Sequence, residues 1–124
     1  MSEYCVKFYK NSRTRNVPLV AYLEDINPKV RLKVLKYIEF LREHEGYLDE
    51  PYSRHIVDKI RELRVDFGHE RHRLFYFTFI KQTIIILHGF IKKTAKTPQK
   101  EIERTLAYYQ DAIHNPQLYE KDVQ

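Results

Sequence analysis

Hydrophobic and polar positions alternate along this chain with two different periods, and the change between them divides it into elements. Residues 5–9, Cys5 to Tyr9, read as a short first strand. Asn16 ahead of Pro18 is a helix-start signal, because a proline in the first turn loses nothing by lacking an N–H. Leu19, Val20, Leu23 and Ile26 then recur at helical spacing. The signal returns at Asn27-Pro28, after which Val30, Val34, Tyr37, Ile38 and Leu41 form one stripe with Lys29, Lys33, Lys36, Arg42 and Glu43 off it. Gly46 is the natural stop. These two helices predict a hairpin, followed by an irregular stretch from Tyr47 to Asp58 that contains Pro51.

From Ile60 the period falls from about 3.6 to 2. A strand over Ile60 to Phe67 puts Leu63, Val65 and Phe67 on one face and Glu62, Arg64 and Asp66 on the other. Gly68 begins a polar turn. The next strand, Arg73 to Ile80, is aromatic or apolar on both faces, the mark of a central strand. Lys81-Gln82 turns the chain into Thr83 to Ile91, rich in β-branched residues. Thr97 is placed to cap a last helix that opens at Pro98, carries Ile102, Leu106, Tyr109 and Ile113 at core spacing and ends at Asn115-Pro116. The predicted order is β-α-α-β-β-β-α: an α+β fold with an antiparallel sheet packed by helices mainly on one face.

Length bounds the rest. At 124 residues the chain is expected to be a single domain spanning 1–124, too short for separate cofactor and substrate domains. The composition, 43% hydrophobic and 31% charged with 3 Gly and 5 Pro, is that of a folded domain. Cys5 has no partner for an internal disulfide, which fits a reducing compartment. The start lacks a basic region followed by an apolar stretch, and the run Ile84 to Leu87 is far short of the ~18 residues of a membrane span. A cytoplasmic protein is the expectation.

The net charge of +5 invites polyanions, and its placement sharpens that. Arg64, Arg71, Arg73, Lys81, Lys92, Lys93, Lys96 and Lys100 all fall in or after the meander. Antiparallel pairing can bring Arg64, Arg73 and the Lys92–Lys96 turn to one end or face of the sheet. They serve there either as a binding surface or as solvated edge charges that guard against aggregation. Phe75, Tyr76, Phe77, Phe79 and Phe90 suit base stacking on a sheet, but large rings at alternating positions chiefly fill a core. His69 and His72 stand three apart in a turn, not four apart on a helix as in zinc proteases, so no metal site is expected. His88 lies within a strand on the side of Phe90 and Lys92, where it is a hydrogen-bonded sheet histidine or a general acid or base. Cys5 reads as core.

The run Leu63-Arg64, then Arg73-Leu74-Phe75-Tyr76, then Ile85 through Pro98 with its Phe-x-Lys-Lys-Thr-x-Lys-Thr-Pro segment, then Glu101-Ile102-Glu103, resembles the phage-derived Gp49-like, HigB-type branch of the RelE/ParE toxin superfamily. The motifs span about residues 56–110. The resemblance implies a RelE-like fold and the toxin of a type II toxin–antitoxin module: a ribosome-dependent, metal-independent mRNA endoribonuclease with no cofactor. It equally leaves room for a ParE-like inhibitor of DNA gyrase, and a basic nucleic-acid-binding phage accessory protein would need only the same charged face.

Residue by residue, the resemblance implies that Arg73 holds or polarises the scissile phosphate and that Arg64 assists it from the end of the preceding strand. Lys92 and Lys93 match the basic pair after the last strand. Arg73, Arg64, Lys93 and His88 are thus the expected catalytic group, and Lys92, Lys96, Phe90, Tyr76 and Arg71 the expected RNA contacts. The chain departs from RelE in having Glu62 where RelE has lysine, and no tyrosine stands near Gln99 to match the RelE base. The tail, Tyr119 to Gln124, lacks the Asp-Tyr-His ending of some HigB proteins. The implied partners are a HigA-type helix-turn-helix antitoxin, mRNA and the ribosomal A site, with a higher-order toxin–antitoxin assembly on operator DNA.

Overall fold

The structure is a computed structural model that describes residues 3–120; Met1, Ser2 and the tail from Lys121 to Gln124 lie outside the described residues. Its elements run β1 (Cys5–Phe8), α1 (Pro18–Asp25), α2 (Pro28–Glu43), β2 (Ser53–Val57), β3 (Ile60–Phe67), β4 (Glu70–Phe79), β5 (Thr83–Lys92) and α3 (Gln99–Ile113). Single 3-10 turns follow β4 at Ile80–Gln82 and α3 at Pro116–Tyr119. The strands form one sheet in the order β1-β5-β4-β3-β2. The chain is therefore α+β, as its pattern predicts.

Local chemistry accounts for most boundaries. Asn27 caps α2 by accepting from the Lys29 N–H at 2.8 Å. The Gly46 N–H returns to the Leu41 carbonyl at 3.0 Å, with Gly46 at φ +83°. A Cβ there would stand 2.5 Å from Thr78 Oγ1, so the turn after α2 requires glycine both for its left-handed backbone and for space. Thr97 does not cap α3: Pro98 occupies the cap position, its carbonyl accepts from the Glu101 N–H at 3.0 Å, and Thr97 Oγ1 is buried without a partner.

The sheet departs from the expected antiparallel meander in three ways. The first is an added strand. Ser53–Val57, expected to be irregular, pairs antiparallel with β3 as an edge strand. Ser53 is its buried anchor, with Oγ 2.6 Å from the Tyr76 hydroxyl. The second is the direction of β1, which runs parallel to β5 through the register Cys5↔Thr83 to Phe8↔Ile86. The third is the placement of the helices, which cover both faces.

Leu63, Val65, Leu74, Tyr76, Ile84 and Ile86 pack under α1 and α2. Ile60, Phe75, Phe77, Ile85 and Leu87 pack with Tyr109 and Ala112 of α3. Strands apolar on both sides must be covered on both sides, because each uncovered ring or branched side chain would forgo roughly 1.5–3 kcal/mol of burial. The double-sided pattern of β4 and β5 thus demands α3 on the face opposite the helical hairpin.

The pairing of β5 with β4 is interrupted once, at Leu87. Phe75 is opposite His88 but Tyr76 is opposite Ile86, so Leu87 is an extra residue on the β5 side. This bulge shifts the alternation. Ile85 and Leu87 face α3, and after the shift His88 and Phe90 face it too, with their rings stacked 5.6 Å apart.

Candidate nucleic-acid interface

Beyond the start of α3, its face of the sheet carries charge. The register sets three rows across β3, β4 and β5: Asp66, Arg71 and Lys92; Arg64, Arg73 and Phe90; Glu62, Phe75 and His88. Arg54 of β2 stands opposite Glu62 and extends the last row. Directly opposed residues on one face have Cβ atoms about 5 Å apart, so these side chains are obliged to interact.

Glu62 is the centre of the cluster and is 0% exposed. Its Oε1 is approached by Nε of Arg54 at 3.7 Å, of Arg64 at 3.7 Å and of Arg73 at 3.9 Å. Arg73, only 1% exposed, turns Nη1 to Asp66 Oδ1 at 2.8 Å and to the His72 carbonyl at 2.9 Å. Lys92 is almost as buried. Its pKa is lowered by burial above all and by the positive charges of Arg73, Arg54 and Arg64, with Glu62 opposing. Arg54 and Arg64 reach the surface.

Next to this cluster His88 Nε2 lies 3.1 Å from Glu101 Oε1, at the start of α3. Burial lowers the His88 pKa, and the hydrogen bond to Glu101 pulls the other way. A neutral imidazole that donates Nε2–H to the carboxylate keeps its lone pair on Nδ1, the form a general base needs. Phe90 stacks on His88 and contacts Phe75 at 5.5 Å between ring centres.

Arg64, Arg73, Lys92, Phe90 and His88 therefore share one face, with the exposed Arg71 at its rim. One expected residue lies elsewhere. Tyr76 is fully buried under the helical hairpin and holds Ser53, so it is core and has no surface on which a base could stack. Lys93, one residue past β5, lines a groove at the end of that strand with Tyr22 and Asp25 of α1, Ile26, Phe90 and Glu101. Lys96 is exposed in the turn after β5, where its carbonyl accepts from Thr94 Oγ1 at 2.5 Å.

Arg54 and Glu101 are members of the site that the sequence pattern does not single out, and Glu62 stands out in it only as a departure from RelE. Arg54 was hidden because an edge strand as short as Ser53-Arg54-His55-Ile56-Val57 has no alternation to announce it. Among the described residues no group of three or more His, Cys, Asp or Glu side chains is placed to hold a metal ion, and no helix is long and apolar enough to cross a membrane.

Such an arrangement concentrates fixed positive charge on one sheet face with an aromatic ring and a neutral imidazole beside it. Guanidinium groups stay charged at any physiological pH and fork onto two oxygens of a phosphate. No curated protein matches the chain. The model of the family Phage derived protein Gp49-like (DUF891) matches residues 21–110, a stretch that begins within α1 and includes all of α2, all of β2 to β5 and most of α3. The chain belongs to this Gp49-like family of RelE/HigB-like toxins, which points to the toxin of a toxin–antitoxin pair with an antitoxin as its partner.

Proposed function

We propose that the chain is a ribosome-dependent endoribonuclease that cuts mRNA in the cytoplasm and so stops translation. The observation that supports it is the convergence of Arg54, Arg64, Arg73 and Lys92 on the α3 face, beside the His88–Glu101 pair. The reaction is attack of a ribose 2′-OH on the adjacent phosphorus. The 2′-O–P bond forms, the P–O5′ bond breaks, and the ends are a 2′,3′-cyclic phosphate and a 5′-OH.

Charge builds on the phosphoryl oxygens in the transition state, and Arg64 and Arg73 stabilise it. His88 Nδ1 takes the 2′-OH proton. Lys92, whose pKa is already lowered, gives a proton to the leaving 5′ oxygen. Phe90 and Arg71 hold the neighbouring nucleotide, Lys93 and Lys96 flank the backbone on the far side of the turn, and the A site supplies the alignment. Free RNA is therefore cut poorly. In the cell a HigA-type helix-turn-helix antitoxin holds the toxin inactive, and the complex assembles on operator DNA.

The test is a translating extract given the purified chain, with primer extension on the message. Codon-dependent cuts ending in cyclic phosphate are expected. Intact mRNA accompanied by gyrase-dependent DNA breaks would instead mark a ParE-like poison, and 5′-phosphate ends would overturn the mechanism. Recovery of the chain in high yield from healthy cells, with no partner bound, would count against the antitoxin.

A further inference from the structure

The buried carboxylate of Glu62 has an unusual environment for its depth. Neither Oε1 nor Oε2 has a hydrogen-bond partner among the described residues, yet both are shut away from solvent. Three guanidinium Nε atoms approach the same oxygen at 3.7–3.9 Å, beyond hydrogen-bond reach. A carboxylate that was only neutralising an arginine would sit in its fork at about 2.8 Å. At the longer separation the attraction is charge on charge and does not consume the N–H groups.

We infer that Glu62 is a positioning residue, a built-in counter-ion that gathers the guanidinium groups of Arg54, Arg64 and Arg73 without occupying their donors. The donors of Arg54 and Arg64, which reach the surface, stay available for a phosphate, and the buried Arg73 adds its charge from beneath them. Like charges directly opposed across a sheet repel, and Arg64 stands directly opposite Arg73. Without a negative charge at position 62 the groups would separate, since Asp66 reaches Arg73 alone. Glu62 does not act on RNA itself, because no part of the residue is exposed to it. This role rests on the proposed RNA chemistry for its effect on cleavage, but not for its effect on the arginines.

Glu62→Gln tests it, since the amide keeps the shape and removes the charge. Affinity for a short fluorescein-labelled oligouridylate is expected to rise about threefold, with a salt slope steeper by about 0.7, because the cluster gains one net positive charge. Single-turnover mRNA cleavage is expected to fall at least about tenfold, because the converged geometry is lost. Nitrogen-15 spectra should show the Nε–H signals of Arg64 and Arg73 displaced before any anion is added. Glu62→Asp keeps the charge and should bind oligouridylate as the wild type does, with cleavage partly restored; it also carries the test if Glu62→Gln does not fold.

Parallel loss of affinity, cleavage and thermal stability in both variants would make Glu62 merely structural and overturn the inference. So would disappearance of the acidic limb of the pH–rate profile in Glu62→Gln, which would make it a proton acceptor. If the wild type fails to cut mRNA, the proposed function falls. The displaced Nε–H signals and the raised affinity of Glu62→Gln still decide the counter-ion role.

Discussion

Arg64 and Arg73 stand directly opposite each other on adjacent antiparallel strands, an arrangement that costs free energy unless neighbouring charge offsets it. The offset is diagonal. Glu62 and Asp66, the β3 residues two positions to either side of Arg64, both contact Arg73. A like-charged pair is thus held between two carboxylates, one buried and one exposed.

The two arginines should therefore respond differently to truncation. Arg64 is 29% exposed along its side chain, and Arg64→Ala is expected to leave thermal unfolding nearly unchanged while slowing mRNA cleavage about 10²–10³-fold. Arg73→Ala removes a buried charge with two hydrogen bonds and leaves Glu62 less compensated, at a cost of about 3–5 kcal/mol. Its loss of toxicity would then include loss of folded protein. Urea titration of both variants beside a translation assay checks this; an Arg73→Ala protein as stable as wild type would contradict the burial argument.

His88 makes folding sensitive to mild acid. Its folded pKa lies below 6.5, chiefly through burial, so as pH falls the unfolded chain takes up the proton first. The neutral histidine imposes no penalty above 6.5, and stability declines as pH falls from there toward the folded value. Thermal melts of wild type and His88→Gln should run in parallel above 6.5, and the wild type should lose the more stability below it. A difference between them that does not vary with pH would refute the assignment.

Asp111 locks α3 to the segment after β1. Its carboxylate accepts from the Tyr9 hydroxyl at 2.7 Å and from the Ser12 N–H at 2.9 Å and hydroxyl at 2.6 Å. Burial opposes its charge, but the Ser12 and Tyr9 hydrogen bonds prevail and hold its pKa below 3.8. The stability it contributes is present above 3.8 and is lost as pH falls through the folded value, a window well below that of His88. Asp111→Ala is expected to cost about 1.5–3 kcal/mol at neutral pH, the scale of hydrogen bonds to a charged group, measured by urea unfolding.

Gly89 sets how closely α1 approaches β5. A Cβ there would meet the Tyr22 ring at 2.8 Å and Leu19 Cδ1 at 3.1 Å. Gly89→Ala should destabilise by about 1–3 kcal/mol through overpacking. It should also displace the Tyr22 hydroxyl from His72 Nδ1, now 2.7 Å away, which the histidine's NMR signals would report.

Local pattern determined the helical hairpin, the strands from Ile60 to Ile91 and the last helix, because side-chain period and the Asn-Pro starts act within a few residues of one another. Alternation also determined that Glu62, Arg64 and Asp66 share a side, and the family motif was legible in the run from Ile85 to Pro98. Tertiary structure alone decided the rest. Ser53–Val57 becomes a strand only because β3 offers it an edge and Tyr76 a hydrogen bond. The parallel seat of β1 beside β5 joins residues 78 apart, beyond the reach of any local signal. Tyr76 and Phe90 look alike in a strand pattern; packing under the helical hairpin makes one core, while the bulge at Leu87 turns the other toward His88 and the arginines. The gathering of three arginines on one carboxylate combines residues from three strands. Sequence alternation gives each side chain its face, but only strand order and register bring those charges within 4 Å.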